Sequence, residues 1–278
     1  MSFLDALILG VVQGFTEFLP VSSSGHLVLA SILLGVREPS ITFDVLLHFG
    51  TLVAIFVAFW ADIRTVAASF GRVLAAPRRF PGLWREDHGV RMLSAIFVGT
   101  IPAGLVGLFL RDLVVQLFMV PMVTGVMLVV TGTILFLSTR LRPGSKRVDR
   151  ITLSDGWWIG VGQALAIMPG ISRSGTTIST GLLFGLDREA AARFSFLLTI
   201  PAILGAMVFA FEDLMTSNPE SVVGASWAMM AFGTIISGIT GYLAIRILFR
   251  FLRKGRLIVF SYYTWSVGSL VIAISLLS

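Results

Sequence analysis

Long apolar runs, continuous rather than alternating, dominate this chain. Crossing the apolar core of a bilayer takes roughly 20 helical residues at about 1.5 Å each. Six stretches are long enough: approximately 44–61, 92–110, 120–138, 194–211, 222–245 and 257–277. Continuous hydrophobicity predicts helices rather than the period-two pattern of barrel strands. Four further runs, about 3–19, 24–35, 156–168 and 175–186, are too short to cross. Each short pair is broken in the middle, by Pro20-Val-Ser-Ser-Ser-Gly25 and by Pro169-Gly-Ile-Ser-Arg-Ser-Gly175. A broken pair of this kind predicts a re-entrant helical hairpin that turns back at mid-depth.

Composition agrees with that pattern. Of the 278 residues 56% are hydrophobic and 13% charged, against about 25% charged in soluble domains. An ordinary water-soluble globule is excluded, and so is a disordered chain, which needs low hydrophobicity and high charge. The expected class is an all-α polytopic membrane protein. The absence of cysteine removes disulfides, thiolate nucleophiles and Cys-ligated metals. Met-Ser-Phe-Leu-Asp at the start has no basic n-region and reads as mature structure rather than a signal peptide.

Charge placement adds orientation. The segments 62–91, 139–155 and 246–256 hold sixteen of the 21 Lys and Arg residues, which assigns all three to the cytoplasmic side. The linker 212–221, with Glu212, Asp213 and Glu220 but no Lys or Arg, suits the opposite face.

Sliding the sequence by 150 residues superposes Gln13 on Gln163, Ser22 on Ser172, Ser24 on Ser174, Gly25 on Gly175 and Gly35 on Gly185. Each half is then one hairpin followed by three full spans. Three is odd, so the second half is expected upside down relative to the first, with the two Ser-rich tips meeting near the bilayer midplane. The chain divides as one membrane domain, 1–278: a first inverted repeat 1–138, a basic cytoplasmic linker 139–155, and a second repeat 156–278.

The halves differ where chemistry needs them to. Glu17 faces Ile167 in the alignment, His26 faces Thr176, and Ser23 faces Arg173. An ionisable group in lipid costs at least a few kcal/mol, so Glu17, His26 and Arg173 need polar partners or a wet cavity. A buried ion pair of Glu17 with Arg173, fixing the tips together, is the purely structural alternative. Gln13 and Glu17, four apart on one helix, point oxygen-bearing groups at one place and suit a hard divalent cation, or Glu17 acts instead as a general base or an orienter of His26. Ser22, Ser23 and Ser24 lie beside His26, where either a hydroxyl or the imidazole is a candidate nucleophile or acid–base group, and Ser22 is also assigned to phosphate binding. In the second hairpin Ser172, Arg173, Ser174, Gly175 and Thr177 open a helix, whose free amides and positive dipole end attract phosphate; Arg173 adds a fork matched to phosphate oxygens. His48, Asp44 and His88 are read as outside the chemistry, and Trp157, Trp158, Tyr262 and Tyr263 as an interfacial belt. The ligand that fits is a lipid pairing phosphate with a long apolar tail. No nucleic-acid partner is expected. The small-residue run from Gly233 to Gly241 suits helix packing within one subunit or in a homodimer.

The two motifs, Gln13-Gly-Phe-Thr-Glu17-Phe-Leu-Pro-Val-Ser-Ser-Ser-Gly-His26 and Pro169-Gly-Ile-Ser-Arg-Ser-Gly-Thr-Thr177, resemble the signatures of the bacterial undecaprenyl-diphosphate phosphatases of the bacitracin-resistance type. The resemblance implies an inner-membrane enzyme that removes the terminal phosphate of the C55 prenyl diphosphate. Its product is the carrier lipid recycled for cell-wall synthesis, its site opens to the periplasm, and it uses Mg²⁺ or Ca²⁺. By motif, Gln13 and Glu17 fill the acidic pair, Ser23 and His26 the nucleophile or acid–base positions, and Ser172, Arg173 and Thr177 the phosphate-binding stretch. Tyr263 is followed by Thr264, where related sequences often have Arg. The alternative from another class is a transporter or flippase of prenyl phosphate lipids, a design that also uses inverted repeats.

Overall fold

The computed structural model describes residues 2–36, 41–142, 144–216 and 227–277, with the backbone alone at 41 and 209–216. In chain order its helices are α1 (Phe3–Phe18), α2 (Ser23–Leu33), α3 (Ile41–Ala58), α4 (Trp60–Ala75), α5 (Phe80–Glu86), α6 (His88–Phe109), α7 (Arg111–Phe118), α8 (Pro121–Arg140), α9 (Leu153–Leu165), α10 (Arg173–Leu183), α11 (Arg188–Thr216), α12 (Trp227–Arg253) and α13 (Ile258–Leu277). Among the described residues there is no strand, and Lys146 and Leu186 form one isolated bridge.

By length and composition α6, α8, α11, α12 and α13 can each cross a bilayer, so the chain is an all-helical multi-pass membrane protein. The expected span at 44–61 falls on α3, which turns by 87° into α4. Together the two helices are apolar enough for one broken span or a re-entrant turn, with Asp62, Arg64 and Arg72 carried on α4. The basic stretch 62–91 is largely helical, running through α4, α5 and the start of α6. It is held down by Arg72, whose Nη2 donates to Asp87 Oδ2 at 2.6 Å, while Asp87 Oδ1 caps α6 by accepting from Gly89 N at 2.9 Å. Burial opposes ionisation of Asp87, but Arg72 and the amide hydrogen bond outweigh it and hold the carboxyl below its usual range. The tie is thus kept at neutral pH and released only as pH falls through that depressed value. Of the acidic linker 212–221, Glu212 and Asp213 lie on the backbone of α11 and Glu220 lies outside the described residues.

Helix boundaries recur at the spacing found in the sequence. The pairs α1/α9 and α2/α10 each begin 150 residues apart, and α2 and α10 have equal lengths of 11 residues. Capping boxes open α1 (Ser2 with Asp5) and α9 (Thr152 with Asp155). Gly35 and Gly185 both end their short helices at positive φ, +66° and +84°.

Packing brings helices close wherever small residues meet. Helices α1 and α3 lie along α12, α8 along α13, and α6 along α9. Gly233 and Gly241 face Phe43 and Phe18 within the chain, so that small-residue run is used inside the subunit. Phe18, Phe59, Phe196 and Phe249 form a connected aromatic cluster behind the end of α1, which fixes the first hairpin tip. On the α6–α9 seam, a Cβ at Gly160 would lie 2.2 Å from the Gly99 carbonyl oxygen. Gly160→Ala is expected to destabilise the protein by about 1–3 kcal/mol, seen as a lower melting temperature in detergent. Gly71→Ala, where nothing lies within 4 Å, should leave the melting temperature unchanged or slightly raised.

Candidate functional site

Each hairpin break builds the same local device. Ser22 caps α2 by accepting from Gly25 N at 3.4 Å, and Ser172 caps α10 by accepting from Gly175 N at 3.1 Å. Beside each cap a second serine lies at 3.3 Å, Ser24 in the first and Ser174 in the second. The caps follow from sequence, because serine at this position satisfies an amide that the first helical turn leaves free. Ser22 adopts φ +72°, a sparsely populated conformation for a residue with a Cβ, costing of the order of 1–3 kcal/mol. At the second break Gly170 takes the positive φ, and a Cβ there would lie 2.4 Å from the Thr124 carbonyl oxygen. Thr131 on α8 pins this loop, donating to Gly170 O at 2.9 Å and accepting from Ser172 N at 3.0 Å.

The two breaks meet. Ser174 Oγ donates to Leu19 O at 3.3 Å, and a Cβ on Gly25 would be 3.6 Å from Gly170 Cα. Across this contact Arg173 Nη2 donates to Glu17 Oε1, a buried ion pair between the hairpins. Gln13 Nε2 donates to the other carboxylate oxygen at 3.1 Å. Ser23 also interacts with the carboxylate. Gln13 Oε1, fully buried, has no hydrogen-bond partner among the described residues. Glu17 and Arg173 side chains are 3% and 18% exposed, so the pair is largely removed from solvent while part of the Arg173 side chain stays reachable. The first-turn amides of Arg173 and Ser174 take no partner among the described residues, and they lie beside that guanidinium.

His26 stands one turn further along α2 and belongs to a different set of contacts. Its Nδ1 lies 2.8 Å from the Ser22 carbonyl oxygen, and its Nε2 lies 2.8 Å from the Tyr263 hydroxyl on α13. A carbonyl only accepts, so Nδ1 carries the proton and Nε2 accepts from Tyr263. Among the described residues His26 makes no hydrogen bond to Glu17 or Arg173; it is joined to them through the Ser22–Ser24 turn.

Geometry revises three of the sequence readings. Thr177, expected to offer its hydroxyl to phosphate, is fully buried and donates to the Arg173 carbonyl at 2.7 Å, with Ser195 Oγ at 2.5 Å; its hydroxyl braces the first turn of α10 from behind. His48, read as outside the chemistry, has Nε2 3.8 Å from Glu17 Oε2. Tyr263, read as part of an interfacial belt, bonds to His26 and keeps 45% exposure. His48 Nδ1 bonds the backbone carbonyl of Asp44 one turn back, a contact open to any donor side chain at that spacing, so no local signal marks it. Nothing local marks Tyr263, which sits 237 positions from its partner. Ser172, Ser174, Gly175 and Ser22 lie around the two caps.

Comparison with known proteins adds an independent line. The family model described as "Bacitracin resistance protein BacA" matches residues 6–270. A relative from Halothermothrix orenii named undecaprenyl-diphosphatase is 41% identical over 275 residues, covering 99% of both chains. Another of that name from Methanobrevibacter smithii is 44% identical over 276 residues, covering 98% of this chain and 97% of its own. A third, from Alkaliphilus metalliredigens, is 42% identical over 278 residues with full coverage of both.

Proposed function

The chain belongs to the BacA family of bacitracin-resistance proteins, and on that premise we propose that it hydrolyses undecaprenyl diphosphate to undecaprenyl phosphate and inorganic phosphate. Relatives of near-equal length carry the name undecaprenyl-diphosphatase. The observation that carries the site assignment is the Arg173–Glu17 contact across the two hairpin tips, with the first-turn amides of α10 that take no partner among the described residues. A guanidinium has five N–H donors and Glu17 occupies one Nη2 bond, so phosphate oxygens can dock on the rest without breaking the pair. The amides of Arg173 and Ser174 supply further donors at a helix N-terminus.

In the reaction, water attacks the terminal phosphorus. Its proton passes to Nε2 of His26, and the bridging P–O bond breaks with its electron pair leaving on undecaprenyl phosphate. Positioning and charge stabilisation supply most of the rate, as is general for phosphoryl transfer. Ser23, beside Glu17, orients the nucleophile or takes its place.

A divalent cation fits this donor set in a limited way. Among the described residues no three His, Asp or Glu side chains cluster as a cage. The Glu17 carboxylate and the unpartnered Gln13 Oε1 are nonetheless two hard oxygens, enough for a Mg²⁺ or Ca²⁺ that keeps waters and completes its shell with phosphate. When bound, the ion would neutralise charge on the phosphate oxygens. Chelator is then expected to suppress phosphate release from purified protein, with Mg²⁺ or Ca²⁺ restoring it, as a coupled phosphate assay reads directly.

The recurrence of capping boxes, hairpin serines and terminal glycines at one spacing supports two repeats, 1–138 and 156–278, joined by the basic linker 139–155. With an odd number of spans after each hairpin, they insert in opposite senses, and the tips meet at mid-depth. The basic segments put the cytoplasm on their side, so the site opens to the periplasm of a bacterial inner membrane and the lipid enters sideways from the outer leaflet. Recycling this carrier supports cell-wall synthesis and confers bacitracin resistance. A prenyl-phosphate flippase is disfavoured by the relatives' names. Phosphate release from C55 and shorter prenyl diphosphates in detergent, where no second compartment exists, separates the two; no release there would overturn the hydrolase reading.

A further inference from the structure

The atom that must take a proton from the attacking water is covered in this structure. With Nδ1–H committed to the Ser22 carbonyl, His26 has one lone pair, on Nε2, and the Tyr263 hydroxyl occupies it at 2.8 Å. One lone pair cannot accept both that proton and another from water. The two rings lie nearly parallel, 13° apart with centroids at 5.5 Å. Tyr263 is carried on a fixed support. Trp265, two residues on, donates to Val129 O and to Thr133 Oγ1 of α8, both at 3.2 Å, and Gly125 and Gly268 bring α8 and α13 into backbone contact. Yet Tyr262 and Tyr263 are 55% and 45% exposed, on a helix that also exposes Val259, Leu270 and Leu276. The far, C-terminal end of α2 also exposes apolar surface at Ile32 and Leu33.

We propose that Tyr263 is a specificity-determining residue: its hydroxyl caps Nε2 in the resting protein, and a long polyprenyl tail packing against the Tyr262–Tyr263 face of α13 displaces it. The inference rests on the reading of His26 as the proton acceptor. Binding energy from a part of the substrate remote from the reacting phosphorus is thereby spent on uncapping the base. A short tail reaches the phosphate cradle but not that face, and it finds His26 still capped. Tyr263 thus makes the reaction depend on tail length, although it touches neither the phosphate nor the attacking water.

Tyr263→Phe keeps the ring and its packing and removes only the hydroxyl. The test is the ratio of kcat/KM for the C55 diphosphate to that for the C15 diphosphate, in wild type and variant. The ratio is expected to fall about two- to tenfold in Tyr263→Phe, the range of one net hydrogen bond, through a rise on the C15 side. An unchanged ratio, or an equal loss with both substrates, would overturn the cap and leave Tyr263 a packing or orienting residue. Carbethoxylation of His26 by diethyl pyrocarbonate, read on its own peptide by mass spectrometry, should be faster in Tyr263→Phe than in wild type; equal rates would count against the cap irrespective of turnover. His26→Gln separates the two ideas: retained hydrolysis in that variant defeats the reading of His26, whereas an inactive His26→Gln beside an unaltered ratio in Tyr263→Phe defeats the cap alone.

Discussion

Arg173→Ala is expected to reduce phosphate release by about 10²–10³-fold, the usual cost of removing one aimed donor from a developing anion, and to lower stability as well. Both losses have one origin. Arg173 joins the two hairpin tips through Glu17, and both side chains are mostly buried. Truncating one member of a buried ion pair leaves the other charge uncompensated, at about 3–5 kcal/mol. A fall in activity alone would therefore be ambiguous. Arg173→Lys resolves it, because it keeps the charge beside Glu17 but loses the planar fork that meets two phosphate oxygens at once. Lys at this position is expected to restore much of the melting temperature while leaving turnover well below wild type. Should Arg173→Lys recover full turnover, the guanidinium would be acting as a charge only. Should Arg173→Ala retain turnover, the phosphate cradle is elsewhere. Glu17→Gln completes the comparison: in the double variant Arg173→Ala with Glu17→Gln, stability should recover relative to Arg173→Ala alone, since no unpaired charge remains, but activity should not.

What could be read from the sequence divides by range. Features set by local chemistry were legible. The Ser-Gly breaks, the short helices either side of them and the five long apolar helices all follow from hydrophobic runs and cap residues within a few positions of one another. The break at Phe59 was missed because α3 and α4 read as one run passing into a basic loop; the amphipathic character of α4 decides it only when the helix lies against Asp87 and α6. The pairing of Glu17 with Arg173 entered only as the structural alternative to a catalytic role, on the ground that an ionisable residue placed in lipid demands a partner. Thr177 was misassigned for the opposite reason. A hydroxyl on the first turn of a helix looks available from sequence, but Ser195, supplied by α11, had already claimed it. His48 and Tyr263 come to the site from α3 and α13, and no motif in either helix specifies that approach; only the fold brings them there.

His26→Gln is the second large effect, expected to lower turnover by about 10²–10⁴-fold, the range for losing a positioned acid–base group. Glutamine was chosen because its amide can keep a hydrogen bond to the Ser22 carbonyl in place of Nδ1–H, and so preserves the turn that His26 helps to close. It has no basic nitrogen to accept a proton. Since His26 makes no ion pair among the described residues, the substitution strands no charge, and the melting temperature should stay near that of wild type, unlike that of Arg173→Ala. The two variants therefore separate on two axes: both lose turnover, while only one loses stability. The assignment of His26 as base rather than nucleophile is checked in the same protein. A base leaves no covalent trace, whereas attack by Nε2 on phosphorus would leave an acid-labile, alkali-stable phosphohistidine in rapidly quenched wild-type reactions. Detection of that adduct on the His26 peptide would replace water with His26 as the attacking group. Substantial turnover in His26→Gln would instead pass the proton to Ser23 and Glu17, which already lie together on the other side of the turn.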